Sequence, residues 1–298
     1  MLKGSGYRNP GRVFINQCGL PKRASNLPAY VERYADFLLE AVDYSGLSPV
    51  DVRAICDHFG ITHSDSELPE RTEGTSDGQL GMILVNQDRP EVRRRFTRGH
   101  ELVELLFSAL MESPVSDEVW HHLTGNHKES LCNQGAAFIL MPNRLVSNHL
   151  QQFEVTIESA YHLAEKFQTS LLASMIRMVR ESRDRHALIF CKYALKPKEL
   201  KTSGNSAQLS LGDAFFSPPR KKLRVQWVHR SPQLEAFLPK HKSIQDNSIV
   251  HKSISTREAL KGMEQFDLES FCEECFIETL PTILGGEEGV LALIRVLS

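Results

Sequence analysis

Apolar residues recur at helical spacing between Tyr30 and Ala41, where Tyr34, Phe37, Leu38 and Ala41 share a face, so this stretch predicts an amphipathic helix. Before it, the first thirty residues carry Gly, Pro and Asn with weak periodicity. They read as an arm, with regular structure beginning near Ala29. Ser48-Pro49 has the form of an N-cap followed by proline at the first helical position. It opens a helix through about Phe59, with Gly60 as the stop. Residues 63–79 are polar, contain Pro69, Gly74 and Gly78, and read as a loop. Gly81–Asn86, GMILVN, reads as a short strand, and the periodic stretch from Pro90 to Leu110 as a long helix. A loop from Met111 to about Lys128 holds Pro114, Gly125 and three histidines. A further helix covers Glu129 to Leu140 and stops before Pro142. Residues 153–181 read as two helices broken at Thr169-Ser170, the spacing of a helix-turn-helix unit.

The pattern changes near residue 184. HALIFCKYAL, KLRVQWVHR, CFIETLPTI and VLALIRVLS are apolar or alternating runs that read as strands. Between the first two lies a linker, about 196–222, with Gly204, Gly212, Pro218, Pro219 and a basic RKK. The expected class is α+β. A mainly helical domain with a small sheet occupies 1–152, a helix-turn-helix-like segment 153–184, and an α+β domain on an antiparallel sheet 185–298.

Composition narrows the partners. The 35 Lys+Arg against 37 Asp+Glu leave a formal charge of −2, which argues against a mainly electrostatic nucleic-acid binder. The local basic clusters RPEVRRRFTR and PPRKKLR read as solvated faces. No apolar run approaches the ~20 residues that span a bilayer, and the polar N-terminus lacks the apolar core of a secretory signal. Six cysteines in 298 residues is ordinary usage, so the expected location is the cytoplasm, with thiols reduced and no membrane partner. Cys272-x-x-Cys275 stands without a second pair and reads as core or helix residues.

The chemistry gathers in RRRFTRGHELVELLF, Arg93 to Phe107. His100 and Glu104 lie four residues apart on a predicted helix, one above the other, with Glu101 adjacent. Two side chains at that spacing can grip a metal while a neighbouring glutamate reaches water. Leu102, Val103, Leu105 and Leu106 make the helix apolar, so the charged groups need partners. A metal is one, and a salt bridge to Arg93, Arg94, Arg95 or Arg98 is the other. Glu129, opening the next helix, offers a distant third ligand. Cys132, one turn on, reads as a small buried residue, with a redox or accessory-ligand role as the alternative.

RRRFTRGHELVE followed by ExxCNxxAAxxLMP resembles the ImmA/IrrE family of metallopeptidases, whose members typically read RxRFTxAHExxH and then ExxANxFAxxLLMP. The strand letters Gly81, Ile83, Val85 and Asn86 and the downstream LAEKFQTSLLASMIRMVR also fit, so the resemblance covers about residues 30–184. It implies a zincin-like peptidase domain, with His100 and Glu129 as metal ligands and Glu101 as general base. Glu104 stands where the family has its second histidine ligand. Cys132 stands for an alanine and Gly135 for a phenylalanine.

The implied function is a metal-dependent endopeptidase that cleaves a helix-turn-helix transcriptional repressor in a stress or mobile-element response, with a C-terminal sensor-like domain. The implied metal is Zn²⁺. Two carboxylates in the set widen this to Mn²⁺ or Fe²⁺. His121, His122, His127, Tyr161 and His162 are the candidate oxyanion donors. The competing reading is a catalytically silent relative that binds protein or DNA. Glu104 speaks for it and the intact Glu101 against it, while DNA contact through the helix-turn-helix pair is not the favoured role.

Overall fold

The computed structural model describes residues 6–47, 49–197, 199, 220–268 and 271–297. The fold is α+β, and the chain divides into two compact units. One comprises 1–152 with 161–177, and the other 153–160 with 178–298.

The first unit opens with helix α1 (Pro10–Cys18), where an arm was expected. Asn9 caps it by accepting from the Arg12 amide at 3.2 Å, Pro10 holds the first helical position, and Phe14 is buried. After a 3₁₀ turn, α2 (Leu27–Glu40) buries Tyr30, Val31, Tyr34 and Leu38 at helical spacing. Helix α3 (Val52–His58) is capped by Asp51, which accepts from the Arg53 and Ala54 amides. Ser48 lies outside the described residues, and the chain turns out of α3 at Gly60, φ +67°. Residues 63–79 are not a continuous loop. Strands β1 (Thr62–Ser66) and β2 (Gly74–Asp77) flank β3 (Met82–Asn86) in a three-stranded sheet, order β1-β3-β2. β1 runs parallel to β3 and β2 antiparallel. Both outer strands are polar because each is an edge with much of its surface in water, so neither carries an apolar alternation.

Helix α4 (Glu91–Met111) is the spine of this unit. Leu102, Val103, Leu105, Leu106 and Leu110 are fully buried, and the Tyr34 hydroxyl donates to the Leu102 carbonyl at 3.0 Å. A short helix α5 (Asp117–Trp120) interrupts the expected loop, and α6 (Gly125–Leu140) starts four residues earlier than Glu129. α6 packs closely on α4 and α2 at Gly135, where a Cβ would stand 2.7 Å from Val103 and Val31. α7 (Asn143–Gln152) follows Pro142. α8 (Ile157–Phe167) and α9 (Leu171–Glu181) are broken at Gln168, φ +50°, and the Ser170 hydroxyl accepts from the Ala173 amide as a cap. Ser174, Met175, Arg177, Met178 and Val179 of α9 are buried.

The second unit is a five-stranded antiparallel sheet, order β5-β4-β8-β7-β6, formed by β4 (His186–Ala194), β5 (Lys222–Arg230), β6 (Lys261–Asp267), β7 (Cys272–Leu284) and β8 (Glu287–Val296). β4 and β8 are central and buried on both faces, hence their unbroken apolar runs. α10 (Ile249–Thr256) adds Val250 to the core made by Ile189, Val225, Ile277 and Ile294. Cys272 and Cys275 lie on a strand, not a helix. Three residues apart they face opposite ways, the first exposed and the second buried, so they cannot chelate one ion. Most of the 196–222 linker lies outside the described residues. Among the described residues, no helix is long and apolar enough to cross a membrane.

Candidate metal centre

The basic stretch ahead of His100 is largely committed to acidic partners and backbone. Arg53, Arg94 and Arg98 converge on Asp65 of β1, Arg89 and Arg93 pair with Glu73, and Arg95 donates to the Val50 carbonyl. This pins the first half of α4 to the small sheet and leaves the next turn facing a cleft of about 550 Å³. His100, Glu101, Glu104, Glu129 and Asn133 line that cleft, with Gly74–Ser76 of the edge strand β2 along one side.

Helical spacing does here what the sequence predicts. His100 Nε2 lies 3.7 Å from Glu104 Oε1 and 3.7 Å from Glu129 Oε2. Ligands around a tetrahedral ion with bonds of ~2.1 Å sit roughly 3.4 Å apart, so each carboxylate stands near ligand spacing from His100 Nε2. His100 is also oriented. Its Nδ1 stands 3.1 Å from Asn133 Oδ1, which accepts from it, so Nε2 is the ring atom turned toward Glu104 and Glu129 and the one a cation would take in exchange for a proton. Imidazole nitrogen and carboxylate oxygen are donors that a divalent cation accepts. Among the described residues, the tightest group is His100, Glu104 and Cys132, with ligand atoms mutually within 4.8 Å. Glu129 approaches His100 from a more exposed position, its side chain 56% accessible.

Glu104 is not free. Lys128 Nζ lies 2.8 Å from its Oε2, and the Cys132 thiol donates to its Oε1 at 3.4 Å. Burial works against the Glu104 carboxylate, but the bonds from His100 and Lys128 outweigh it and bring its pKa down to about 2. The same neighbourhood, through burial and then the charge of Glu104, pushes the Cys132 thiol well above its usual range, so it serves as a donor and not a thiolate. His100 is held above the ordinary histidine value. Burial opposes its charged form, and Glu104, Glu101 and Asn133 override it.

Glu101 is buried and turns toward β2. Ser76 Oγ donates to its Oε2 at 2.7 Å, and Gly74 permits the approach. A Cβ there would fall 2.5 Å from Thr97 Cγ2 and 3.0 Å from Glu101 Oε1. Burial raises the Glu101 pKa, and the Ser76 bond pulls against that rise. The five residues named as oxyanion donors do not line the cleft. His122 and His127 instead face each other, ring centroids 4.9 Å apart. Lys128, Ser76 and Gly74 carry no motif signal. A lysine in the first turn of a helix, against the dipole, is the only hint in the letters.

Residues 56–178 match the model of the IrrE N-terminal-like domain. The radiation response metalloprotease IrrE of Deinococcus deserti is 32% identical over 152 residues, covering 50% of this chain and 53% of that protein. Its namesake from Deinococcus radiodurans is 26% identical over 137 residues, covering 45% and 42%. The chain thus spans about half the length of the curated relatives it matches. A solved Mycobacterium tuberculosis transcriptional regulator superposes on 97% of this chain and 81% of its own, with a TM-score of 0.53 and 13% identity, a likeness of fold alone.

Proposed function

Taking as premise that the chain belongs to the ImmA/IrrE family through residues 56–178, we propose that it is a metal-dependent endopeptidase with a zincin-like domain. The observation that carries this reading is the convergence in one cleft of His100, Glu104 and Glu129 with a separate, differently oriented Glu101. The ion, Zn²⁺ or the harder Mn²⁺ or Fe²⁺, would be held by His100 Nε2, Glu104 and Glu129, and supplies Lewis acidity toward a peptide carbonyl and toward water. Glu101 takes the water proton and returns it to the leaving amine. Its raised pKa brings it closer to the range a general base needs. Ser76 holds one Glu101 oxygen and leaves the other for that transfer. β2 is an edge strand beside the cleft, so an extended substrate segment can add to it by backbone pairing.

The substrate we infer is a helix-turn-helix transcriptional repressor, cleaved in the cytoplasm in a stress or mobile-element response. The support is that the relatives are radiation response metalloproteases, together with the family resemblance. In this reading residues 1–152 are the peptidase, 153–184 a helix-turn-helix-like segment that helps hold the substrate, and 185–298 a regulatory, sensor-like domain. The test is elemental analysis of wild type, Glu104→Ala and Glu129→Ala, with cleavage assays on wild type and Glu101→Gln. About one metal per chain, lost in both alanine variants, is expected. Glu101→Gln should keep the metal and lose ~10²–10⁴-fold in cleavage rate.

A second reading has one observation in its favour. Lys128 and Cys132 already satisfy Glu104, as they would in a silent scaffold. Folded wild type that takes up neither Zn²⁺ nor Mn²⁺ and cleaves nothing would select it.

A further inference from the structure

Glu104 divides its two oxygens. Oε1 faces His100 and the Cys132 thiol, and Oε2 faces the Lys128 ammonium. The pair is well shielded, with side-chain exposures of 16% for Glu104 and 22% for Lys128. Lys128 sits in the first turn of α6, where a cation opposes the helix dipole, so its charge is placed against local preference. Lys128 and Cys132 are four residues apart on α6 and reach Glu104 from one helix face.

Charge explains the arrangement. A two-histidine, one-carboxylate centre carries a single negative charge. Glu104 in place of an imidazole adds another, and a lysine bonded to that same carboxylate takes it away again. We propose that Lys128 is a built-in counter-ion of the metal centre. Its 2.8 Å contact holds the Glu104 carboxylate in place when the cleft is empty, and gives the Glu104–Lys128 pair the net charge of a neutral imidazole. The ammonium therefore opposes the arriving cation, and the centre binds metal more weakly, and more reversibly, than its donor set alone would. This rests on the metal-centre reading above and names a positioning residue for it.

Two properties must move in opposite directions when the charge is removed. In Lys128→Met the metal-free protein should melt lower, because a shielded carboxylate has lost its partner. Its affinity for Zn²⁺ and Mn²⁺, measured by competition with a chromogenic chelator, should rise by on the order of tenfold or more, because a like charge near the ion is gone. Lys128→Arg should match wild type in both. Lys128→Gln is the substitute if the methionine variant does not fold. A lysine that only supports structure would lower both properties. Wild type that binds metal, with a methionine variant that binds equally or less tightly, overturns the counter-ion and leaves the metal centre standing. No binding by wild type or variant overturns both. Binding gained only in the variant supports the counter-ion and overturns the peptidase reading for the natural chain.

Discussion

The two units treat sheltered histidines in opposite ways, half-buried His100 in the first, buried His186 and half-buried His229 in the second. In the first, His100 meets Glu104 and Glu129 at 3.7 Å and Asn133 at 3.1 Å, and these neighbours hold its pKa above the ordinary value despite burial. In the second, His186 and His229 are shifted down, chiefly by burial. His186 exchanges a bond with the Ser182 hydroxyl at 2.9 Å, and His229, beside Arg180 and Lys240, falls to about 4. A histidine buried for packing stays neutral. One placed among carboxylates has been given a charged or electrophilic companion to expect. The contrast directs the search for chemistry to the cleft beside β2 and away from the C-terminal sheet.

The largest effect that would break this contrast belongs to Asn133. If it fixes the tautomer that aims Nε2 into the cleft, Asn133→Leu should weaken Zn²⁺ binding by about 10–100-fold, with little change in the fold. His229→Gln, in the other unit, should leave binding alone. Chelator competition on both variants checks this. Equal losses in the two would show that metal affinity follows general stability and not the orientation of His100.

Next in size is the pH response of the second unit. His229 has a folded pKa of about 4 against an ordinary value near 6.5, so between those values the unfolded chain binds the proton and the folded one does not. Stability is therefore undiminished above about pH 6.5 and falls as the pH drops toward 4. Between pH 7 and 5 the loss from this group should be about 1–2 kcal/mol. His186 adds a loss of the same sign. Denaturant melts of the full chain should show the drop, and His229→Gln should shrink it. An identical drop in the variant would assign the acid sensitivity elsewhere.

What the letters disclosed, and what they hid, follows the same physics. Helix α4 was legible because it repeats a strong apolar stripe, α6 in its second half because an apolar run stops before Pro142, and the placing of His100 over Glu104 because i, i+4 spacing fixes it without knowledge of anything distant. Strands β4 and β8 were legible because central strands are apolar on both faces. β1, β2 and β6 were not, since exposed edges need no apolar alternation and β1 spends Asp65 on arginines of α3 and α4. α1 was missed although Asn9-Pro10 is a cap followed by a first-turn proline. Lys128 and Ser76 depend on which turn of one element meets which turn of another, 24 and 25 residues away, and no local pattern encodes that.

The smallest predicted effect concerns Ser76, and it separates the proposed base from the proposed ligands inside the one cleft. The Ser76 hydroxyl donates to the charged form of Glu101 and so favours ionisation against burial. In Ser76→Ala that donor is lost, the Glu101 pKa rises further, and a base that must be deprotonated begins to fail at a higher pH. The acid limb of the pH–rate profile should move up by about one pH unit or less, with a loss below about tenfold at neutral pH. Metal affinity should stay at the wild-type value, since Ser76 touches Glu101 and not His100 or Glu104. A profile that keeps its acid limb while metal affinity falls would mean that β2 supports the ligands, and that Glu101 is not the group whose ionisation the rate reports.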